Sequence, residues 1–93
     1  MRFVWDEVKN RANKAKHGVR FEVAKLIFDD PLHVSVPDRH EHGQERWSTV
    51  GLVGTVTFLV VHTDVEQNGE EVVRIISARK ATSCERARYE EGR

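Results

Sequence analysis

The sequence predicts an α+β domain, an antiparallel β-sheet packed against two N-terminal helices, with a short C-terminal helix. Three observations carry this. Residues 46–53, 55–63 and 71–79 are rich in β-branched side chains and are separated by Gly54 and by the turn residues Glu66, Gln67, Asn68 and Gly69, where Asn-Gly is a strong hairpin signal. Two helical runs precede them. After them, Thr82 with Glu85 three residues on forms a capping box, opening a last helix that includes Ala87 and Tyr89.

Arg2 to Trp5 is a short β-prone start. Asp6 is an N-cap for a helix to about His17, in which Val8, Ala12 and Ala15 form a narrow apolar stripe. Gly18 stops it, and Lys16 and His17 in its last turn complement the helix dipole. A second, more apolar helix over about 20–28 presents Phe21, Val23, Ala24, Leu26, Ile27 and Phe28, and Asp29, Asp30 and Pro31 end it. Residues 33–36 read as a short strand before Pro37, and 37–45 as a loop or hairpin connection.

Ninety-three residues with 39% apolar content fill one modest core, so a single domain over 1–93 is expected. No run approaches the roughly 20 apolar residues of a membrane span, and the first residues lack the apolar centre of a secretory signal, which points to the cytoplasm. Cys84, the single cysteine, suits a reducing compartment and is expected to be a small buried hydrophobe. Fifteen basic and fifteen acidic side chains cancel, yet they are segregated. Lys9, Arg11, Lys14, Lys16, Arg20 and Lys25 stand against Glu22 alone, followed by an acidic middle of Asp29, Asp30, Asp38, Glu41 and Glu45, and then by a basic end. Basic ends suit RNA, and a solvated helix face is the plainer reading.

The run 72–85, VVRIISARKATSCE, is the most informative stretch, because it sets Ser77, Arg79 and Lys80 where a strand gives way to a helix. Strand alternation puts Val73, Ile75, Ser77 and Arg79 on one side, so an apolar row ends in a hydroxyl and a guanidinium. Such an arginine either binds an anion or is paired, and Glu85 is the candidate partner.

The order strand, two helices, antiparallel strands and short helix is that of the RelE-like ribonuclease toxins, and the residues resemble one family within that fold. The matching positions are Phe3-Val4-Trp5-Asp6 with Lys9 and Asn13, then Lys16-His17-Gly18-Val19 with Phe21 and Ala24. Phe28, Asp30-Pro31 and Glu45-Arg46 with Gly51 follow. Last come the eight residues from Arg74 to Ala81, with Glu85, Arg86 and Tyr89. This pattern resembles the BrnT toxins of bacterial type II toxin-antitoxin systems over nearly the whole chain. The resemblance implies an endoribonuclease held inactive by a BrnA-like antitoxin, with operator DNA reached only through that antitoxin.

RNA can be cut without metal when its 2′-hydroxyl is driven onto the adjacent phosphate, which needs a base, cations on the phosphoryl oxygens and an acid for the leaving oxygen. Arg79 and Arg46 are expected at the phosphate, with His17, or failing that Lys16, as acid or base. Ser77 and Tyr89 would orient, and Lys14, Lys80 and Arg86 would bind RNA. No cofactor is expected. Each has a plainer alternative: His17 as a dipole partner, Arg46 paired with Glu45 or Asp38, Tyr89 packed with its hydroxyl satisfied, Glu85 as the cap partner of Thr82. His62 reads as a satisfied histidine at the core edge. His40 and His42 share a face in an extended segment, but two ligands make no metal site. A non-catalytic module that binds protein or nucleic acid is the second function class; it would let the cationic residues scatter.

Overall fold

The computed structural model describes residues 1–41 and 43–91, with the side chains of residues 40 and 41 set aside. In chain order the elements are β1 (Arg2–Val4), α1 (Glu7–His17), α2 (Phe21–Ala24) continuing as a 3₁₀ helix (Lys25–Asp29), β2 (Val34–Glu41), β3 (Gln44–Val53), β4 (Val56–Gln67), β5 (Glu70–Lys80) and α3 (Ser83–Glu91). The sheet order is β1-β5-β4-β3-β2. Strands β2 to β5 form the expected antiparallel meander. β1 does not follow it: it runs parallel to β5, with Arg2 opposite Val72, so the sheet is mixed rather than antiparallel. A three-residue strand has no period of its own from which its direction could be read.

Asp6 caps α1 through the Val8 N–H at 2.8 Å, and Gly18, at φ 75°, closes it with its N–H on the Lys14 carbonyl. The inward face is not the expected apolar stripe. Val8 is 66% exposed, and the buried residues of α1 are Asn10 and Asn13. The helix is attached to the body by hydrogen bonds more than by apolar area. The Asn13 amide donates to the Val19 and Ala78 carbonyls at 2.9 and 2.8 Å and accepts from the Ala78 N–H at 3.1 Å. Asn10 accepts from the Phe21 N–H at 2.8 Å, which fixes the start of α2.

The core joins Phe21, Ala24 and Ile27 of the second helical segment to Phe58 and Val60 of β4 and Val73, Ile75 and Ala78 of β5. Val73 and Ile75 are thus on the expected side, but Ala78 has replaced Ser77 there. Between Val61/Ser77 and His62/Ile75 the register slips by one residue, leaving Ile76 as the extra residue of a β-bulge. The bulge moves Ser77 and Arg79 to the opposite face of the sheet, because each residue of slip inverts the alternation.

β2 also outruns its prediction. Pro37 does not end it; the strand continues to Glu41 through a register irregularity between Pro37 and Arg39, and β2 pairs with β3 as far as Glu41 opposite Gln44. An edge strand tolerates proline, since its outward side needs no ladder donor. At the far hairpin, Asn68 and Gly69 have φ of 53° and 80°, the left-handed pair that Asn-Gly predicts. Cys84 is exposed, not buried, since it lies on the outer side of the first turn of α3.

Candidate active site

The capping box at the β5–α3 junction forms as predicted: Thr82 N–H donates to Glu85 at 2.8 Å and Glu85 N–H to the Thr82 hydroxyl at 3.2 Å. The same carboxylate holds Arg79 in a two-pronged pair at 2.8 and 2.9 Å, and Arg79 also donates to the Lys80 carbonyl. The Arg79 hydrogen bond, the caps and its charge outweigh burial and lower the Glu85 carboxyl to about 2, while the pairing raises Arg79 further above its ordinary value. Arg79 is therefore a clamped cation. Its side chain stays 38% exposed, and the fork to Glu85 fixes which of its N–H groups face outward.

Register places a second group of cations on this face. Leu59 and Val50 share a cross-strand row with Arg79, and Val61 and Ser48 share the next with Ser77. Beyond these, Arg46 lies opposite Arg39, and Arg74 lies opposite Thr63. Cross-strand partners face the same way, so Arg39, Arg46 and Arg74 sit on the α3 side with Arg79. Arg46 is two strands and four residues from Arg79, roughly 16 Å between Cα atoms at ordinary strand spacings.

On the other side of the sheet, α1 ends beside the end of β5. A concavity of about 240 Å³ there is lined by Lys14, Gly18, Val19, Arg20, Val23, Phe58 and Lys80. It gathers the predicted pair Lys14 and Lys80 and adds Arg20. His17 follows one turn after Asn13, the residue that binds Ala78, so it belongs to this end of β5. Lys16 and Arg86 are exposed, on α1 and α3.

Tyr89 has its plainer role. Its ring is buried, and its hydroxyl donates to Asp30 at 2.5 Å. Asp30 also accepts from the Leu32 and Leu52 N–H groups; burial pushes its carboxyl up, but these hydrogen bonds win and leave it below the ordinary range. Next to Tyr89, a cleft of about 190 Å³ runs between α3 and the sheet, floored by Val34, Val36, Val50 and Leu59.

His62 is satisfied at the core edge, as expected. Only 1% exposed, it bonds Thr49 at 2.6 Å through Nε2 and Asp64 at 2.9 Å through Nδ1, and Thr49 continues to Ser35 at 2.7 Å. Burial lowers its pKa, against the opposing pull of Asp64. The His40 and His42 pair lies outside the described residues. Among the described residues, no three His, Cys, Asp or Glu side chains gather as a metal-ligand set. No helix there is long and apolar enough to cross a membrane.

Sequence reasoning missed Asn10, Arg20 and the anchoring by Asp30. For the asparagines a signal existed: two poor helix formers three residues apart on one face suggest a side that bonds rather than packs. Arg20 stands in the sequence only as one member of the N-terminal basic run, and the tertiary fold alone brings it to Lys80.

No curated protein matches the chain. The family described as "Ribonuclease toxin, BrnT, of type II toxin-antitoxin system" matches it over residues 5–85, a span that includes α1, the whole meander, and the junction up to Glu85. The chain belongs to the BrnT family of ribonuclease toxins of type II toxin-antitoxin systems.

Proposed function

We propose that this protein is a cytoplasmic endoribonuclease of RelE-like architecture that cuts RNA without a metal ion, by attack of a 2′-hydroxyl on its own 3′-phosphate. A BrnA-like antitoxin, which also reaches the operator DNA, restrains it. The observation that carries the reading is Arg79. In a chain of a ribonuclease-toxin family, a half-exposed guanidinium is held rigid by a carboxylate at a strand end, with Lys80 beside it. A preoriented donor stabilises the extra charge of a pentacoordinate phosphorane without reorganising, and such a donor is typically worth about 10²- to 10³-fold in rate.

The roles divide along the β5 end. Arg79 meets the phosphoryl oxygens of the cut linkage from the α3 face, and His17, or Lys16 in its place, moves the proton from the other side of the sheet, around the end of β5. Ser77, one row inward, and the Tyr89 ring shape the α3 side. Arg46, on the same face as Arg79, reaches toward the same phosphate, Arg39 and Arg74 track the strand further along that face, and Lys14, Lys80 and Arg86 contact neighbouring phosphates. Cleavage of purified RNA in chelator by the wild-type protein, its loss in Arg79→Ala with intact folding, and 2′,3′-cyclic phosphate ends are the expected results. Uncut RNA, or ends bearing a 3′-hydroxyl and a 5′-phosphate, refutes the mechanism.

One observation favours the second class, a binding module without catalysis: Arg79 and His17 lie on opposite sides of the sheet, and Arg79 is paired with Glu85. If Arg79→Ala weakens RNA or antitoxin binding while the wild-type protein leaves RNA intact, that reading replaces the first.

A further inference from the structure

We infer that the concavity between the end of α1 and the end of β5 is a pocket for one unpaired nucleotide of single-stranded RNA, next to the linkage that is cut. The inference rests on the ribonuclease reading above only for the word "cut"; the pocket itself stands on its lining. Three cations surround it, and each comes from a different element: Lys14 from α1, Arg20 from the residue that caps α2, and Lys80 from the last position of β5. Among the described residues no carboxylate lines it. Its floor is Gly18, Val19, Val23 and Phe58, and Val23 is 41% exposed.

An apolar floor inside a cationic rim suits a flat base with phosphates on either side, recognised without regard to sequence. A duplex keeps its bases stacked inside and shows its backbone instead, so the pocket selects an unpaired nucleotide. The size agrees with one residue, about 240 Å³, not with a groove several turns long that would seat a helix. Continuity with the catalytic end is built into β5. Arg79 and Lys80 are consecutive, and consecutive strand residues face opposite sides. A strand of RNA that crosses the end of β5 thus leaves Arg79 and enters the pocket at Lys80. His17 directly precedes Gly18, which lines the pocket.

The test measures binding of the full chain to a single-stranded RNA oligonucleotide with 2′-O-methyl groups, which removes the nucleophile and leaves the bases. Fluorescence anisotropy is read across a salt series for wild type, Lys14→Ala/Arg20→Ala and Val23→Asp, each checked for folding by circular dichroism. The double variant is expected to bind about tenfold or more weakly, and its salt slope to fall by about 0.7 for each cation removed. An abasic residue placed at successive positions is expected to cost the wild type about tenfold at one position, and Val23→Asp to be indifferent to it. Unchanged affinity and slope in the double variant overturn the pocket. So does a loss confined to antitoxin capture with RNA binding intact, which would give the concavity to the protein partner. Because the probe cannot be cut, a wild-type protein that binds it in this way yet never cleaves natural RNA removes the ribonuclease mechanism and keeps the pocket.

Discussion

The side chain of Asn13 pairs with the backbone of Ala78 as a neighbouring strand would, giving one hydrogen bond and taking one. β1 covers the outer edge of β5 only from Val72 to Arg74, and Asn13 takes over where the bulge at Ile76 has shifted the chain. Its third bond, to Val19, ties the turn after Gly18 to the same point. One amide thus fixes both walls of the Lys14–Lys80 concavity. Asn13→Ala leaves buried backbone groups of Ala78 and Val19 without partners, at about 1–3 kcal/mol for an unsatisfied group. Denaturant unfolding should show a loss of about 3 kcal/mol. A loss under 0.5 kcal/mol would mean that water replaces the amide and that the edge is not sealed by it.

Glu85 connects helix start and cation, so its protonation should be felt in stability at acid pH. Its folded pKa is lowered to about 2 from an ordinary 4.5. A depressed carboxyl contributes stability that is present above the unfolded value and lost as pH falls through the folded one, so the window is about 4.5 down to 2. Solvent at this half-buried pair screens the interaction, leaving about 1 kcal/mol. Glu85→Gln should flatten the decline in that window and lower neutral-pH stability by a similar amount, measured by chemical denaturation from pH 2.5 to 7. A decline as steep in the variant as in wild type would assign the acid loss to other carboxylates.

The β5–α3 junction was legible because its signals are local. Asn68-Gly69, Asp6, Gly18 and the Thr82–Glu85 box act within four residues of chain, and all were found where the sequence puts them. What alternation could not carry was the single slip at Ile76, which sends Ser77 and Arg79 to the α3 face and seats Ala78 in the core. A bulge depends on what the partner strand offers, here the pairing of Val61 and His62, and one sequence read strand by strand does not contain that. The arginine at the junction reads from sequence as paired or anion-binding, and it is paired with Glu85; of its neighbours on the face, Arg46, Ser77 and Tyr89 are also named from sequence, whereas Arg39 and Arg74 are not. Arg20 and Lys80, sixty residues apart, meet only after folding.

His62 sets a second pH window. Burial depresses its pKa below the ordinary 6.5, with Asp64 and Glu71 pulling the other way and His33 adding to the depression. The folded chain therefore takes up a proton on this imidazole less readily than the unfolded chain, which does so at about 6.5. Stability is full above that value and falls as pH goes down through it toward the depressed folded value. Unfolding free energy measured at pH 7.5, 6.5 and 5.5 should drop across the series in wild type and stay nearly flat in His62→Gln, which retains a partner for Thr49. Equal slopes in the two proteins would show that the buried imidazole binds its proton as easily as the unfolded one.

Gly51 reports on the closeness of the second helical segment to the sheet. A Cβ at this position would lie 2.7 Å from the Ile27 Cβ and 3.0 Å from the Ile27 carbonyl oxygen, closer than packed atoms allow. Neither neighbour is the free end of a flexible chain, so the 3₁₀ turn must move away from β3, and Ile27 is fully buried in the core. Overpacking of this kind costs about 1–3 kcal/mol. Gly51→Ala should lower Tm by about 5–15 °C in a domain of this size. A Tm unchanged by the substitution would mean that the helical segment is not seated against β3, and the placement of Ile27 in the core would have to be given up.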